Sequence, residues 1–466
     1  MKKTKIICSI GPSSVDVDVM EKMVNAGMDV ARINFSHATI EERENVVKAV
    51  KEVRKRTGKN IAILYDTKGP EFRNQLMENE EVELIEGNTI RIVKEEVIGN
   101  SNRFSVNYPK VLDDLSEKDI ILLENGLMKI EVISIENDGV TCKIIDGGKL
   151  GSRKSLNVPG VKLSIPFVSD NDYEDINYAT LNDGDFIALS FVSSKDDVME
   201  AKKIIGNNNI KIIAKIENQE GIKNLEEILE VSDGAMVARG DLGVEVPLEM
   251  LPIYQKQIIK KCRKHSKIAI VATEMLESMK KNIRPTRAEV SDIANAVLDG
   301  TDAVMLSGET TTGKHPVETV EYMSKICKMA EDNYNYDVKL LVKEEIDIPT
   351  TIAKSVIESS KILNVKNIVV ATMSGNSAVK ISNLKPNVPI IAACPTNEVA
   401  RSLALNFGVY SKVVKEYEST DEIVEDAKRL SIETMDLVKG DIIVITGGFP
   451  NNTSNKTTNF MKIEKI

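Results

Sequence analysis

Short runs of β-branched residues alternate with amphipathic segments along the first two thirds of the chain. A strand places successive side chains on opposite faces, whereas a helix repeats its apolar face every three to four residues. Helical periodicity at 40–56, 219–230 and 247–264 separates the β-branched runs. Eight β-then-α units are the pattern of a (β/α)8 TIM barrel, and we predict this α/β fold. The predicted strands are TKIICSI, DVARIN, IAILYD, FIALSF, IKIIAKIE, GAMVAR, IAIVAT and DAVML.

One barrel unit is interrupted between residues 70 and 166, where helical periodicity disappears. The strand-like runs TIRIVKEEV, MKIEVISI and VTCKIID are separated there by the turn signals ENG, ENDG and DGG. We therefore predict an inserted β-rich, β-barrel-like domain at 70–166, with the barrel at 1–69 and 167–335. Gly69–Pro70 and Pro159–Gly160 are its predicted hinges.

A separate C-terminal α/β domain is predicted at 345–466. The strands IVVAT, PIIAAC, SKVV and DIIVIT alternate with helical patterns at 350–363, 376–384, 397–407 and 420–437. Alternating strands and helices indicate a largely parallel sheet. The segment VKLLVKEEID is interpreted as a charged connector to the barrel.

Composition narrows the class of protein further. The net charge of −10 over 466 residues disfavours a broad nucleic-acid surface. The apolar run after the basic start is too short for a signal peptide, and no stretch approaches the ~18 apolar residues of a membrane span. The five cysteines are far apart and form no C-x-x-C motif, which predicts a reduced, cytoplasmic protein without disulfides or structural zinc.

Polar residues follow six of the eight predicted strands, in RINFSH, YDTKG, KIEN, ARGDLG, ATEML and MLSGET. Catalytic side chains of a barrel come from the C-terminal ends of its strands. One polar end is explained by capping, but six would need extensive mutual hydrogen bonding if they were only structural. The pattern therefore predicts an active site at this end of the barrel.

The residue types at these ends suit phosphoryl chemistry. Glu217 and Asp241 are carboxylates on neighbouring strands and suit a hard divalent ion, Mg²⁺ or Mn²⁺. Arg32, Arg73 and Lys215 supply cations for phosphoryl oxygens. A structural ion pair between Lys215 and Glu217 is the alternative explanation for this segment.

A second, weaker cation site is predicted beside the first. Asn34, Ser36, Asp66 and Thr67 offer neutral and anionic oxygens, and Gly240 allows close approach of a ligand to the backbone. No Ser-His-Asp or Cys-His arrangement is evident in the sequence. The site is thus built for positioning and charge stabilisation, as phosphoryl transfer requires.

Several of these motifs, in order over nearly the whole chain, resemble the pyruvate kinase family. They are ARINFSH, YDTKGPEFR, KIENQEGI, ARGDLGVEVP, ATEMLESM, RPTRAEVSDIANAVLDGTDAVMLSGET and TMSGNSA. The resemblance implies the glycolytic transfer of the phosphoryl group of phosphoenolpyruvate to ADP, giving ATP and pyruvate. It also implies that the inserted domain is a lid that excludes water.

The resemblance assigns roles residue by residue. Arg32 would hold the phosphoryl group, and Lys215 would stabilise charge on it and on the enolate. Glu217 and Asp241 would bind Mg²⁺, and Thr273 would lie where the enolate carbon is protonated. K⁺ would be bound by Asn34, Ser36, Asp66 and Thr67. Substrate or nucleotide contacts would come from Arg32, Arg73, Lys154, Lys215, Gly240, Asp241 and Thr273.

Two further segments bear on assembly and regulation. RPTRAEVSDIANAVLDG predicts a helix with a Thr286–Glu289 capping box and one apolar face, which either packs on the barrel or, by resemblance, begins near a subunit contact of a homotetramer. In the C-terminal domain, a loop that opens a helix would bind a sugar-phosphate or nucleotide effector by resemblance, and ordinary helix capping is the alternative. Its residues are Thr372, Ser374, Gly375, Asn376 and Ser377.

Glu71 and the competing functions complete the predictions. Family members with glutamate at this position resemble the K⁺-dependent type, so we expect K⁺ activation. The alternatives are a Mg²⁺-dependent barrel aldolase of phosphoenolpyruvate or pyruvate chemistry and a catalytically silent sugar-phosphate sensor. The inserted domain and NFSH…YDTKGPE disfavour the aldolase, and intact Lys215, Glu217, Asp241 and Thr273 disfavour the sensor.

Overall fold

A computed structural model describes residues 1–334, 347–448 and 458–466. The predicted connector VKLLVKEEID lies outside the described residues except for its last residue. The strands, in chain order, are β1 (Lys5–Ser9), β2 (Val30–Asn34), β3 (Ala62–Asp66), β4 (Glu81–Leu84), β5 (Thr89–Val93), β6 (Arg103–Ser105), β7 (Ile120–Leu123), β8 (Met128–Glu136), β9 (Gly139–Asp146), β10 (Gly148–Gly151), β11 (Leu156–Asn157), β12 (Phe186–Leu189), β13 (Lys211–Ile216), β14 (Gly234–Ala238), β15 (Ile268–Ala272), β16 (Ala303–Leu306), β17 (Asn367–Ala371), β18 (Ile390–Cys394), β19 (Val409–Val413), β20 (Ile442–Gly447) and β21 (Phe460–Lys465).

The helices lie mainly between the parallel strands. They are α1 (Val17–Ala26), α2 (Ile40–Thr57), α3 (Asp170–Leu181), α4 (Lys195–Ile205), α5 (Gln219–Lys223), α6 (Leu225–Val231), α7 (Arg239–Glu245), α8 (Leu251–Lys264), α9 (Arg287–Leu298), α10 (Gly308–Thr311), α11 (Pro316–Asp332), α12 (Ile348–Ile362), α13 (Asn376–Asn383), α14 (Asn397–Arg401) and α15 (Thr420–Met435). Short 3-10 helices cover Glu78–Glu80, Pro109–Asp114, Leu248–Met250 and Glu277–Lys280.

The eight predicted barrel strands are confirmed. They close a parallel barrel in the order β1-β16-β15-β14-β13-β12-β3-β2. Alternation along each strand divides the side chains between two layers: in β1, Ile7 faces the barrel interior, while Ile6 and Cys8 pack toward the surrounding helices. The C-terminal domain contributes Leu405 to the interior layer. The barrel base is therefore packed against that domain.

The insertion after β3 is β-rich, as predicted. It contains a six-stranded sheet in the order β11-β7-β8-β9-β5-β6 and a two-stranded ribbon of β10 and β4, around an apolar core of its own. Both predicted hinge glycines have positive φ, +70° at Gly69 and +81° at Gly160. A Cβ on Gly69 would also lie 2.8 Å from the Ser190 side chain. The domain boundaries at 70 and 166 stay a prediction.

The C-terminal domain is a sheet in the order β19-β18-β17-β20-β21, parallel except for β21. The helix predicted at 397–407 was too long, because α14 ends at Arg401. Beyond this helix, Leu403 packs in the domain's own core and Leu405 in the barrel interior. The pattern predicted at 219–230 likewise divides into α5 and α6 at Asn224.

Local sequence signals explain where the helices begin. The predicted Thr286–Glu289 capping box is confirmed, with the Glu289 amide donating to Thr286 Oγ1 at 3.2 Å and the Thr286 amide to Glu289 at 2.7 Å. The apolar face of α9 is only partly covered: Ile293 is buried, whereas Val290 and Leu298 are exposed.

All five cysteines are buried, free thiols. Among the described residues, no helix is long and apolar enough to span a membrane.

Candidate active site

The predicted site residues of the barrel gather at the C-terminal ends of its strands, beneath the inserted domain. A cleft of about 660 Å³ runs between barrel and insertion there. Arg73 lines it from the inserted domain, and Phe191, Asp241 and Glu245 line it from the barrel. Of the predicted site residues, Arg73 and Asp241 line this cleft, whereas Arg32, Lys215 and Glu217 are not among its lining residues.

Asp66 is the buried centre of this cluster. Its Oδ2 accepts a hydrogen bond from Arg32 Nε at 2.7 Å, and its Oδ1 lies 3.1 Å from Lys215 Nζ. Arg32 Nη1 also donates to Ser9 Oγ at 2.7 Å. Burial alone would raise the pKa of Asp66, but the Arg32 and Lys215 charges outweigh burial and hold this pKa below its ordinary value. Asp66 therefore fixes two of the three cations that were predicted to meet phosphoryl oxygens, Arg32 and Lys215.

Lys215 lies in β13 and Glu217 directly follows the strand, and the two-residue repeat places both on the interior face with Ile213. Lys215 Nζ lies 3.1 Å from Glu217 Oε1, and the Phe191 amide donates to Glu217 Oε2 at 2.6 Å. Burial lowers the pKa of Lys215, but the charges of Asp66, Glu217 and Asp241 more than compensate and hold that pKa above its ordinary value. Lys215 is therefore a charged ammonium.

Glu217 has the features of a ligand for a divalent cation. It is fully buried, and within the described part of the chain Oε1 has no hydrogen-bond partner, so its contact with Lys215 is an ion pair only. Burial raises the pKa of Glu217 to about 8; Lys215 opposes this rise, and Asp241 adds to it. No group of three or more acidic, His or Cys side chains in the described residues could hold a metal. Two carboxylates, with the remaining positions left to substrate and water, suit Mg²⁺.

Thr273 directly follows β15 and has an unusual backbone conformation. Its φ is +69°, and Glu274 follows with φ +53°. The Gly240 amide donates to Thr273 Oγ1 at 2.9 Å, and this hydroxyl donates to the Ala272 carbonyl at 2.6 Å. A β-branched residue at positive φ is a genuine outlier, and such strain is concentrated at functional sites.

The four predicted K⁺ ligands lie on or just after the adjacent strands β2 and β3. Asn34 and Asp66 are register partners, and Asn34 Oδ1 accepts from the Ser36 amide at 3.1 Å. Thr67 Oγ1 accepts from the Ser190 amide at 3.1 Å. The structure brings the four residues into one region, and each of their side chains carries an oxygen of the kind that binds K⁺.

The two predicted nucleotide-binding cations of the lid have carboxylate partners. Glu71 accepts two hydrogen bonds from Arg73, each at 2.8 Å, and Glu124 pairs with Lys154 at 2.6 Å. Arg73 lines the cleft with Asp241. The hydrogen bonds to Glu71 raise the pKa of Arg73, burial opposes the rise, and the Asp241 charge adds to it. These cations are thus in the lid and not in the Asp66 cluster.

Ser190 is a site residue that the sequence pattern missed. Its hydroxyl accepts from Lys215 Nζ at 2.7 Å and donates to the Thr67 carbonyl at 2.7 Å. It joins the ammonium to the region of the predicted K⁺ site. Its position directly after β12 could have indicated a site residue. However, one serine among apolar neighbours did not make FIALSF stand out as a strand with a polar C-terminal end.

The predicted effector residues lie together in the C-terminal domain, in the loop before α13 and at its start. Thr372 Oγ1 accepts from the Gly375 amide at 3.0 Å, and Gly375 has φ +87° immediately before α13. Ser377 Oγ lies 2.6 Å from Thr458 Oγ1, while Ser374 and Asn376 are exposed. No side chain among the described residues caps this helix start.

The fold is that of a (β/α)8 barrel enzyme, with cations and carboxylates clustered at the C-terminal ends of the strands. Comparisons identify the family. The family model "Pyruvate kinase, barrel domain" matches residues 1–320, and "Pyruvate kinase, alpha/beta domain" matches 350–464. Pyruvate kinases of Staphylococcus saprophyticus and Staphylococcus aureus (strain MRSA252) are each 45% identical to the chain, covering 100% of it and 81% of their own length.

A solved structure agrees with this assignment. The crystal structure of a pyruvate kinase from Cryptosporidium parvum matches with a TM-score of 0.95 at 38% identity, covering 100% of this chain and 96% of that one. The chain belongs to the pyruvate kinase family. Its function is that family's function, and it is a phosphotransferase of glycolysis.

Proposed function

We propose that this protein transfers the phosphoryl group of phosphoenolpyruvate to ADP. The bond from phosphorus to the enolate oxygen breaks as the bond from phosphorus to a β-phosphate oxygen of ADP forms, giving ATP. The enolate then takes up one proton at its methylene carbon and becomes pyruvate. The observation that carries the proposal is the buried Arg32–Asp66–Lys215–Glu217 cluster at the strand ends, beneath a hinged domain.

Arg32 and Lys215 are the proposed phosphoryl-binding cations. Both are nearly buried and both contact Asp66, so their positions are set before substrate arrives. Preorganised cations act strongly in a water-excluded site because they need no reorganisation during the reaction. Lys215 would stabilise the negative charge that develops on the phosphoryl and enolate oxygens.

Glu217 and Asp241 would hold Mg²⁺. The bound ion would neutralise negative charge on the phosphoryl, carboxylate and enolate oxygens of the substrate. Support comes from Glu217 Oε1, a buried carboxylate oxygen without a hydrogen bond in the described structure, and from the position of Asp241 in the first turn of α7. Mn²⁺ would serve at the same oxygen ligands.

Thr273 is proposed to direct the proton to the enolate carbon. Its hydroxyl is bound to the Gly240 amide and the Ala272 carbonyl and so has a fixed orientation. A threonine hydroxyl is too weak an acid to ionise near neutral pH, so we propose that it orients a water that delivers the proton.

Asn34, Ser36, Asp66 and Thr67 are proposed to bind K⁺. The ion would add positive charge next to Arg32 and Lys215, through the Asp66 carboxylate that both of them contact. This link gives a physical reason for K⁺ activation, because occupancy of the site would change the field at the phosphoryl group.

The lid and the C-terminal domain complete the proposal. Arg73 and Lys154 would exchange their carboxylate partners for nucleotide phosphates when the lid closes on its glycine hinges. The uncapped start of α13 would bind the phosphate of an effector. The exposed Val290 and Leu298 of α9 are suited to a contact in a homotetramer.

Product analysis tests the proposal. The enzyme with Mg²⁺, K⁺, phosphoenolpyruvate and ADP should form ATP and pyruvate in equal amounts, and omission of ADP should abolish pyruvate formation. Cleavage or condensation of 2-keto acids without ATP formation would instead indicate an aldolase. Effector binding without turnover would indicate a sensor.

A further inference from the structure

Arg239 makes an unusual set of contacts for a residue outside the proposed catalytic group. It begins α7 and is buried, with 8% of its surface exposed. Its guanidinium reaches the end of β15, where Nε donates to the Ala272 carbonyl at 3.3 Å and Nη2 to the Thr273 carbonyl at 2.6 Å. Nη2 also lies 2.9 Å from Met275 Sδ.

These contacts surround a strained turn. Thr273 and Glu274 both have positive φ, although neither is glycine. Left-handed conformations of such residues persist only where surrounding contacts enforce them. Arg239 donates hydrogen bonds to the carbonyl groups of Ala272 and of Thr273 itself, which flank the Thr273 Cα. The next residue, Gly240, donates its amide to the Thr273 hydroxyl.

The guanidinium is itself fixed from the opposite side. Arg239 Nη1 is 2.6 Å from Asp292 Oδ2 on α9. A planar guanidinium with partners on Nε, Nη1 and Nη2 has one orientation, which a lysine ammonium could not reproduce. The contact set is therefore rigid.

We propose that Arg239 is the positioning residue that holds Thr273 for protonation of the enolate. This inference rests on the proposed function. Arg239 has no contact with Arg32, Lys215 or Glu217 among its hydrogen bonds and ion pairs in the described structure. Its loss therefore slows proton delivery more than phosphoryl transfer, a difference that a purely structural role would not produce.

Proton delivery and phosphoryl transfer are measured separately on the same holoenzyme. With Mg²⁺, K⁺ and ATP present, exchange of pyruvate methyl protons in D₂O, followed by ¹H NMR, reports the proton step in reverse. A single turnover from phosphoenolpyruvate and ADP, stopped by rapid acid quench, reports the formation of ATP on the enzyme and hence the phosphoryl step alone. Displacement of a catalytic group by about 1 Å costs up to about 10²-fold in rate. We expect Arg239→Ala to lower the ratio of the methyl-exchange rate to the single-turnover rate of ATP formation by about ten- to a hundredfold.

Three further arms make the result specific. Millimolar guanidinium should partly restore methyl exchange in Arg239→Ala, because it can occupy the vacated space. Arg239→Lys keeps the positive charge but loses the planar set of guanidinium donors. It should preserve the fold and lower the ratio of methyl exchange to phosphoryl transfer by a smaller factor than Arg239→Ala does. Arg54→Lys is the matched control: Arg54 is a part-buried arginine that donates to the Ile61 carbonyl and pairs with Asp183 and Asp185, away from this turn. Its ratio should equal that of wild type.

Each outcome of this experiment either supports or overturns the positioning role of Arg239. A lowered ratio in Arg239→Lys, or in Arg239→Ala with guanidinium rescue, supports the positioning role. An unchanged ratio in Arg239→Lys and in any folded Arg239→Ala overturns it. A wild-type enzyme that forms no ATP from phosphoenolpyruvate and ADP overturns the proposed function instead, and this inference with it.

Discussion

Replacement of Lys215 by methionine tests the electrostatic core of the site. Methionine keeps most of the aliphatic stem, so the change removes the ammonium and little packing. The lost group lies 3.1 Å from both Asp66 and Glu217 and 2.7 Å from Ser190 Oγ. The substitution therefore removes one charge at the point where three polar groups converge.

The size of the effect follows from these distances. At an effective dielectric constant of 20, two unit charges 3.1 Å apart interact by about 5 kcal/mol. A substrate oxyanion at a similar distance gains an interaction of the same order, while one lost oxyanion donor typically costs about 10²–10³ in kcat. We expect kcat of Lys215→Met to fall at least by about that factor.

Stability should change much less than activity. Removal of one partner from a buried ion pair costs up to about 3–5 kcal/mol when the other charge is left alone. Here Asp66 keeps Arg32 as a partner. Glu217 would take up a proton, because burial already raises its pKa to about 8. The free energy of unfolding should therefore fall by less than that range.

The assay has a matched control on the same face of the same strand. Lys211 lies at the opposite end of β13, and burial lowers its pKa while Asp233 opposes the shift. Pyruvate formation would be followed through a lactate dehydrogenase couple, and unfolding by circular dichroism. Lys211→Met should retain near wild-type kcat. If Lys215→Met kept more than a tenth of kcat, or if Lys211→Met lost as much, the assigned role of Lys215 would be refuted.

Three other expectations follow from the site. Because burial raises the pKa of Glu217 to about 8, Mg²⁺ must displace a proton, so its affinity should rise roughly tenfold per pH unit up to about pH 8 and then level; calorimetry across pH checks this, and a pH-independent affinity would contradict it. Glu71→Lys should remove the requirement for K⁺, measured as equal turnover in K⁺ and Na⁺. Retained K⁺ dependence would contradict the inference that Glu71 determines this requirement. Asn157→Ala removes the 2.9 Å lid-to-barrel hydrogen bond to Glu245, worth about 1 kcal/mol, and should shift the phosphoenolpyruvate KM about fivefold; an unchanged KM would exclude a role for this contact in lid position.

Local periodicity was sufficient to predict the architecture of the barrel. The two-residue alternation in β1 and β13 assigns each side chain to the interior or to the helical layer, and it also placed Lys215 and Glu217 on one face. Polar residues at the strand ends then identified the active end. These properties are local, so a single sequence contains them.

Contacts between distant segments were not predictable in this way. No local pattern indicated that Leu405 packs in the barrel base or that Lys154 pairs with Glu124. The positive φ of Thr273 also escaped prediction, because no glycine marks it and the contacts that enforce it come from α7. Ser190 was missed for a similar reason, since its importance comes from Lys215, which is distant in sequence.

The most direct test of the central claim is ³¹P NMR of the enzyme with phosphoenolpyruvate, ADP, Mg²⁺ and K⁺. The account predicts that the phosphoenolpyruvate resonance is replaced by the γ-phosphate resonance of ATP, with one pyruvate formed for each ATP. Release of inorganic phosphate in place of ATP, or an unchanged phosphoenolpyruvate resonance, would contradict it.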